Sequence, residues 1–336
     1  MTSTRLEEKI ARITVNPSGA SDFIICDAKD SDMGFGIGHA GPLYDKNGKN
    51  TGRFKGREAF LDQIRAIVEQ DIVDLMLLSV ANMEKLVVEE KIFSGSRMAT
   101  AIRANDTTDV WALRHAAYGA TASLNFRTAE MEDYVSHNGI RRADIGLYSV
   151  TFNNDAVADR LTLEAFRNFR REAAASDFPY FLEVFNPNTA DGLSEEEMPA
   201  FVNDCIIRCL AGVAAKARPR FLKIVYNGPR ALAELVNYDP GLIVGVLGGS
   251  SGTTHDCLKL LHDAKKYGAR VALFGRKINL AEDPLGIIVQ MRRVADGDLS
   301  PEDGVKAYHD GLAKQGLRPL RSLEDDSVLT DPVLLR

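Results

Sequence analysis

Short apolar or β-branched runs alternate along this chain with longer amphipathic stretches, a pattern that predicts strands joined by helices. Eight runs read as strands: Phe23–Asp27, Ile72–Ser79, Arg97–Ala104, Asp144–Phe152, Tyr180–Asn186, Phe221–Tyr226, Leu242–Leu247 and Arg270–Phe274. The intervening segments carry helix signals. Ser194-Glu195-Glu196-Glu197 is a capping box, Gly228-Pro229 and Asp283-Pro284 place proline in a first helical turn, and Gly268 stops a helix just before the eighth strand. Residues 105–140 are less regular, with a turn-forming NDTTD, an aromatic and alanine-rich segment, and a helix predicted around 128–138.

Eight β/α units in series predict an α/β fold of the closed (β/α)8 TIM-barrel type. An open doubly wound sheet usually has fewer strands and a Gly-rich phosphate turn directly after the first. The segment GFGIGHAG at 34–41 lies several residues past the first strand and lacks GxGxxG spacing, so it reads as a long mobile loop placed where a lid would be. The prediction is one domain over residues 1–336. Its barrel core runs from about 22 to 297, residues 1–22 form a helix across the barrel bottom, and residues 298–336 form a C-terminal helix and tail.

Composition narrows the partners. The 336 residues carry 41 Lys+Arg against 47 Asp+Glu, a net charge of −6, with no long basic cluster, which argues against nucleic acid or an anionic membrane surface. No apolar run reaches the roughly 18 residues of a membrane span, and the N-terminus has charges where a secretory signal is apolar. Cys26, Cys205, Cys209 and Cys257 show neither CxxC spacing nor disulfide-scaffold density, so a reducing cytoplasm is the expected location. The six histidines form no HxH or HExxH arrangement, and neither a metal nor another cofactor is expected.

In a barrel of this kind the working residues come from the C-terminal ends of strands, so ionisable groups set in apolar runs there are the candidates. The sixth strand, Phe-Leu-Lys-Ile-Val-Tyr, places Lys223 on the face of Phe221 and Val225, opposite Leu222, Ile224 and Tyr226. Desolvation favours the neutral form of an amine, and a neutral amine attacks carbonyls to form an imine. A salt-bridged core lysine is the alternative. The fifth strand, Tyr-Phe-Leu-Glu-Val-Phe-Asn, supplies Glu183, and the first, Phe-Ile-Ile-Cys-Asp, ends in Asp27. Imine chemistry needs such carboxylates as proton donors and acceptors. Tyr148 on the fourth strand is a candidate acid, with a core aromatic as the competing reading. Lys29 and Lys277 lie in polar loop contexts and are set aside as nucleophiles.

After the seventh strand, Gly248-Gly249-Ser250-Ser251-Gly252-Thr253-Thr254 leads into a helix, and Gly275-Arg276-Lys277 follows the eighth. Small residues, free helix amides and a guanidinium in these two loops suit a phosphate, with Gly249, Ser250, Ser251, Gly252, Gly275 and Arg276 as the contacts.

The stretch 219–292, from RPRFLKIVYNGP through VLGGSSGTT to VALFGRKINLAEDPLGIIVQMR, resembles class I aldolases of the archaeal-type fructose-bisphosphate and tagatose-bisphosphate branch, which are Schiff-base (β/α)8 barrels. The resemblance implies that Lys223 forms the imine and that Gly249, Ser250, Ser251, Gly275 and Arg276 hold a substrate phosphate. It aligns Glu183 with the family's FLE glutamate, Asp27 with its first-strand aspartate and Tyr148 with a proton-donating tyrosine. The sequence departs from the family where Asp27 is followed by Ala-Lys and where the fourth strand lacks a lysine, which points to an altered sugar pocket. The expected function is a metal-independent aldolase acting on a phosphorylated ketose or keto acid, working as a homo-oligomer. The alternatives are a sugar-phosphate isomerase or epimerase on the same barrel and a non-catalytic phosphosugar-binding protein.

Overall fold

Each of the eight apolar runs forms a strand: β1 (Ile24–Lys29), β2 (Leu75–Leu78), β3 (Ala99–Arg103), β4 (Ile145–Thr151), β5 (Tyr180–Phe185), β6 (Leu222–Ile224), β7 (Val244–Leu247) and β8 (Val271–Phe274). The computed structural model describes residues 3–17, 19–45, 49–189, 192–249 and 252–335. The strands close into one barrel in which each is parallel to its neighbours in chain order and β8 pairs with β1. This is the (β/α)8 TIM barrel that the alternation predicts.

Strands in such a barrel are buried on both faces, and alternate residues serve two separate cores. Ile24, Cys26, Leu75, Leu77, Ala99, Ala101, Leu147, Phe181, Val271 and Leu273 point inward and pack together, with the Phe181 ring stacked on Phe221 at 4.5 Å. Residues of the opposite parity, among them Ile25, Met76, Ile102, Tyr148, Leu182, Leu222 and Phe274, pack outward against the helices.

Helix α1 (Arg5–Val15) closes the bottom. Thr4 and Glu7 form its capping box, and Leu6, Ile10 and Ile13 insert into the inner core, each burial stabilising by roughly 1.5–3 kcal/mol. Lys9 Nζ and the Ile25 amide both donate to the buried Asp74 carboxylate, which fastens the helix to β1.

Around the barrel run α2 (Arg57–Gln70), α3 (Ala156–Ala175), α4 (Met198–Ala211), α5 (Pro229–Tyr238), α6 (Thr254–Lys266), α7 (Pro284–Asp296) and α8 (Pro301–Gln315). The helix signals read from sequence are present: Pro229 and Pro284 occupy first turns, Ser194 and Glu197 bond reciprocally ahead of α4, and Gly268 has φ 102° after α6. Among the described residues no helix is long and apolar enough to cross a membrane.

Two expectations change. The segment at 34–41 lies across a helical turn (Ser31–Phe35) and a 3-10 turn (Gly36–Ala40), followed by a strand pair, Pro42–Tyr44 with Asn50–Phe54. The helix expected around 128–138 shrinks to Met131–Tyr134, because Val135 and His137 turn into bridge pairings with Ala143 and Ile140.

Candidate active site

The inward parity of the strands carries on past the apolar layers to the C-terminal mouth, where side chains become polar. Ser149, Glu183 and Lys223 sit in register across β4, β5 and β6. Lys223 Nζ lies 2.5 Å from Glu183 Oε1, and both residues are buried. Glu183 Oε2 accepts from Ser149 Oγ at 2.7 Å and from Arg103 Nη2 at 3.3 Å. Ser149 is itself fixed: its amide donates to Asn105 Oδ1 at 2.6 Å and its carbonyl accepts from Asn105 Nδ2 at 2.8 Å. A chain of bonds therefore holds the Glu183 carboxylate in one orientation toward the amine.

Arg103, at the end of β3, is the hub of this network. Its Nε donates to Asp30, its Nη1 to Ser149 Oγ at 3.1 Å, and Asp106 Oδ1 lies 3.9 Å away. Burial works against the charge of Arg103, but Asp30, Glu183 and Asp106 outweigh it and hold the guanidinium above its ordinary value. Burial likewise pushes Asp30 up, and Arg103 with Lys223 outweighs it, leaving that carboxyl below the usual range. Asp106 has weaker compensation, and burial pushes it up to about 6.

These groups open onto a cavity of about 330 Å³, whose lining includes Asp30, Arg103, Glu183, Lys223, Gly249 and Arg276. On the β7 and β8 side its wall is built close. Gly249 has φ 57°, and a Cβ on Gly275 would lie 3.0 Å from the Ala28 carbonyl oxygen. Arg276 stands exposed at the rim and donates to the Gly249 carbonyl at 2.5 Å, tying the two loops together. Over the mouth the loops following β1, β3 and β5 touch one another. A Cβ on Gly34 would lie 3.3 Å from the Val110 carbonyl oxygen, and Asn188 Nδ2 donates to the carbonyls of Gly119 and Thr121.

The structure brings together Lys223, Glu183, Gly249, Gly275 and Arg276. Ser250 and Ser251 lie outside the described residues. Gly252 sits against the Asp256 carboxylate at the start of α6, away from the cavity lining. The free amides expected at that helix start are engaged: Thr253 and Asp256 form a capping box, and the Thr254 amide donates to Asp326 Oδ1 at 2.8 Å. Lys277 turns the same way and donates to Thr254 Oγ1 at 3.1 Å.

Two candidates are corrected by strand parity. Asp27 and Tyr148 project from the outer face of the barrel, one residue out of step with the inward row. Tyr148 stacks on Phe169 at 4.4 Å beside Phe166 of α3, and its hydroxyl accepts from Asn125 Nδ2 at 3.3 Å. Asp27 Oδ2 lies 3.2 Å from Lys29 Nζ, between β1 and the helix layer. Lys29, set aside as a loop lysine, is a fully buried strand residue whose Nζ donates to Gln63 Oε1 of α2 at 2.7 Å and to Asn279 Oδ1. Burial lowers its pKa and pushes Asp27 up to about 6.

Sequence reasoning missed Arg103, Asp30 and Ser149. Arg103 carries the signal that singles out Lys223, a lone cation ending an apolar run, Ala-Thr-Ala-Ile-Arg. Asp30 follows β1 at the inward parity of Cys26 and Ala28. Among the described residues no cluster of His, Cys, Asp and Glu is arranged to hold a metal.

The buried lysine–carboxylate pair and the glycine-lined wall thus lie at the C-terminal mouth of a closed barrel, the face on which barrels of this kind carry their active sites. No family model matches the sequence. The chain is similar to an uncharacterized aldolase of Saccharolobus solfataricus, at 26% identity over 208 residues, covering 60% of this chain and 70% of the relative. Its fold matches an archaeal fructose 1,6-bisphosphate aldolase with a TM-score of 0.60 at 17% identity, over 87% of this chain and all of that one. A fructose-bisphosphate aldolase from Slackia heliotrinireducens matches with a TM-score of 0.64 at 12% identity, over 90% of this chain and 89% of that one.

Proposed function

We propose that this chain is a class I aldolase that makes or breaks a carbon–carbon bond in a phosphorylated ketose or keto acid through an imine on Lys223. The observation that carries the reading is the Lys223–Glu183 pair at 2.5 Å, fixed by Ser149 and Arg103 and open to the cavity.

In this reading Glu183 takes a proton from the ammonium, and the freed nitrogen lone pair attacks the substrate carbonyl carbon. The carbonyl π electrons move to oxygen, which recovers the proton to give a carbinolamine. Glu183, a carboxylate again, then takes a proton from the carbinolamine nitrogen and hands it to the hydroxyl, which leaves as water to give the protonated imine. The imine nitrogen becomes the sink for the electron pair released when the neighbouring carbon–carbon bond breaks, so the chemistry asks for no metal. Glu183 is also assigned as the base for the substrate hydroxyl whose proton leaves in that step. Asp30 stands where the sequence pointed to Asp27, as the carboxylate from the end of β1. The phosphate is assigned to the loops at Gly249 and Gly275, with Arg276 as the charged donor. Tyr148 takes no part.

The test is incubation with dihydroxyacetone phosphate followed by borohydride. A reducible imine predicts progressive, irreversible loss of aldol cleavage activity and one added substrate mass per chain. An enzyme that used Glu183 as the base of an isomerase would keep its activity through the same treatment.

A further inference from the structure

An amine that must shed its proton beside a carboxylate leaves behind a buried negative charge, and such a charge is costly unless something else pairs with it. At this mouth something does. Glu183 presents Oε1 to Lys223, while Oε2 accepts from Ser149 Oγ and from Arg103 Nη2. The guanidinium stays protonated at any working pH, and its fork reaches Glu183, Ser149 and Asp30 at once. Counted together, Lys223 and Arg103 balance Glu183 and Asp30 when the amine is charged.

We infer that Arg103 is the positioning residue of the lysine site: it keeps Glu183 paired and oriented when Lys223 becomes neutral, and so sets the pH at which Lys223 acts as a nucleophile. The inference rests on reading Lys223 as the reactive amine. The charged groups around that amine are Glu183 from β5, Arg103 from β3, Asp30 beyond β1, Asp106 and Asp109 beyond β3, and Arg276 beyond β8. Of these, Arg103 is the cation bonded to the carboxylate that faces Lys223. Removing it leaves Glu183 with the ammonium as its remaining counter-ion, so the amine holds its proton to higher pH.

The test is reductive methylation with formaldehyde and cyanoborohydride across about pH 6 to 10, reading modification of the Lys223 peptide by mass spectrometry. Arg103→Met shifts the half-labelling pH upward by about one unit or more, since a single nearby charge moves such titrations by about 1–3 units. Arg103→Lys retains the charge and stays near the wild type. The double variant Asp30→Asn with Arg103→Met removes one charge of each sign and returns toward the wild type. A wild-type profile in Arg103→Met, or a double variant shifted as far as the single one, overturns the inference. Where circular dichroism shows Arg103→Met unfolded, Asp30→Asn alone carries the test: its profile moves to lower pH, and an unchanged profile overturns the inference. Trapping of the wild type with dihydroxyacetone phosphate and borohydride keeps the two readings apart. A formaldehyde shift without a substrate adduct sinks the aldolase reading alone, and an adduct without a shift sinks the role of Arg103 alone.

Discussion

Lys223 with Glu183 and Lys29 with Asp27 are both lysine–carboxylate pairs on barrel strands, with Nζ···O distances of 2.5 and 3.2 Å. Both are buried, and Lys29, at 0% exposure against 6% for Lys223, is the more deeply buried. Burial therefore does not separate the lysine proposed to react from the one sealed under the helices. What separates them is the face of the strand. Lys223 points to the inside of the barrel at its open end, and its carboxylate is held by a guanidinium and a hydroxyl beside a cavity. Lys29 points outward, and α2 together with Asn279 of the short helix Arg276–Leu280 after β8 covers it.

The sharpest way to break this comparison is to remove each amine. Lys223→Met is expected to abolish imine trapping and lower aldol cleavage on the order of 10⁴-fold or more, with the fold kept. Lys29→Met is expected to keep trapping while losing about 3–5 kcal/mol in urea unfolding, because it strands the buried Asp27 carboxyl. The reverse pattern would exchange the roles of the two pairs.

The sealed pair also has a pH signature. Burial moves the Asp27 carboxyl from its ordinary 3.8 to about 6. Between those values the native chain holds a proton that the unfolded chain has released, so this group's contribution to stability declines as pH rises through that window. The decline is at most about 3 kcal/mol, and Asp27→Asn is expected to flatten it in unfolding curves taken at about pH 4 and pH 6.5 without moving the pH profile of activity.

Arg276→Ala sharpens the account of the cavity wall. KM for a phosphorylated substrate is expected to rise about 10- to 100-fold, the worth of one charge-assisted bond, with little change for an unphosphorylated analogue. The smallest effect belongs to Tyr148→Phe. Deleting a hydroxyl whose partner is Asn125 on the outer face should cost under about 1.5 kcal/mol of stability and leave kcat within about twofold.

Parity also marks where the sequence was legible and where it was not. The eight strands were readable because loop and helix signals bracket every apolar run, and Lys223 and Glu183 were readable as single charges inside such runs. For β1, Ile-Ile-Cys-Asp-Ala-Lys, both faces are buried, so no polar and apolar alternation tells which face is inside, and Asp27 was placed one residue out of register. The same holds for β4, where Leu147, Ser149 and Thr151 point inward and Tyr148 does not. Arg103 was legible in principle, since it ends an apolar run on a barrel strand just as Lys223 does. The start of α6 was not legible, because the carboxylate that caps the Thr254 amide, Asp326, lies 72 residues further along the chain.

Peptide mapping after dihydroxyacetone phosphate and borohydride asks which of the buried amines, Lys223, Lys29 or Lys277, forms the covalent bond. The added mass is expected on the peptide carrying Lys223 and not on the peptides carrying Lys29 or Lys277. An adduct on Lys29 or Lys277, or none on any lysine with dihydroxyacetone phosphate or other phosphorylated ketoses and keto acids, would contradict the assignment of the imine to Lys223.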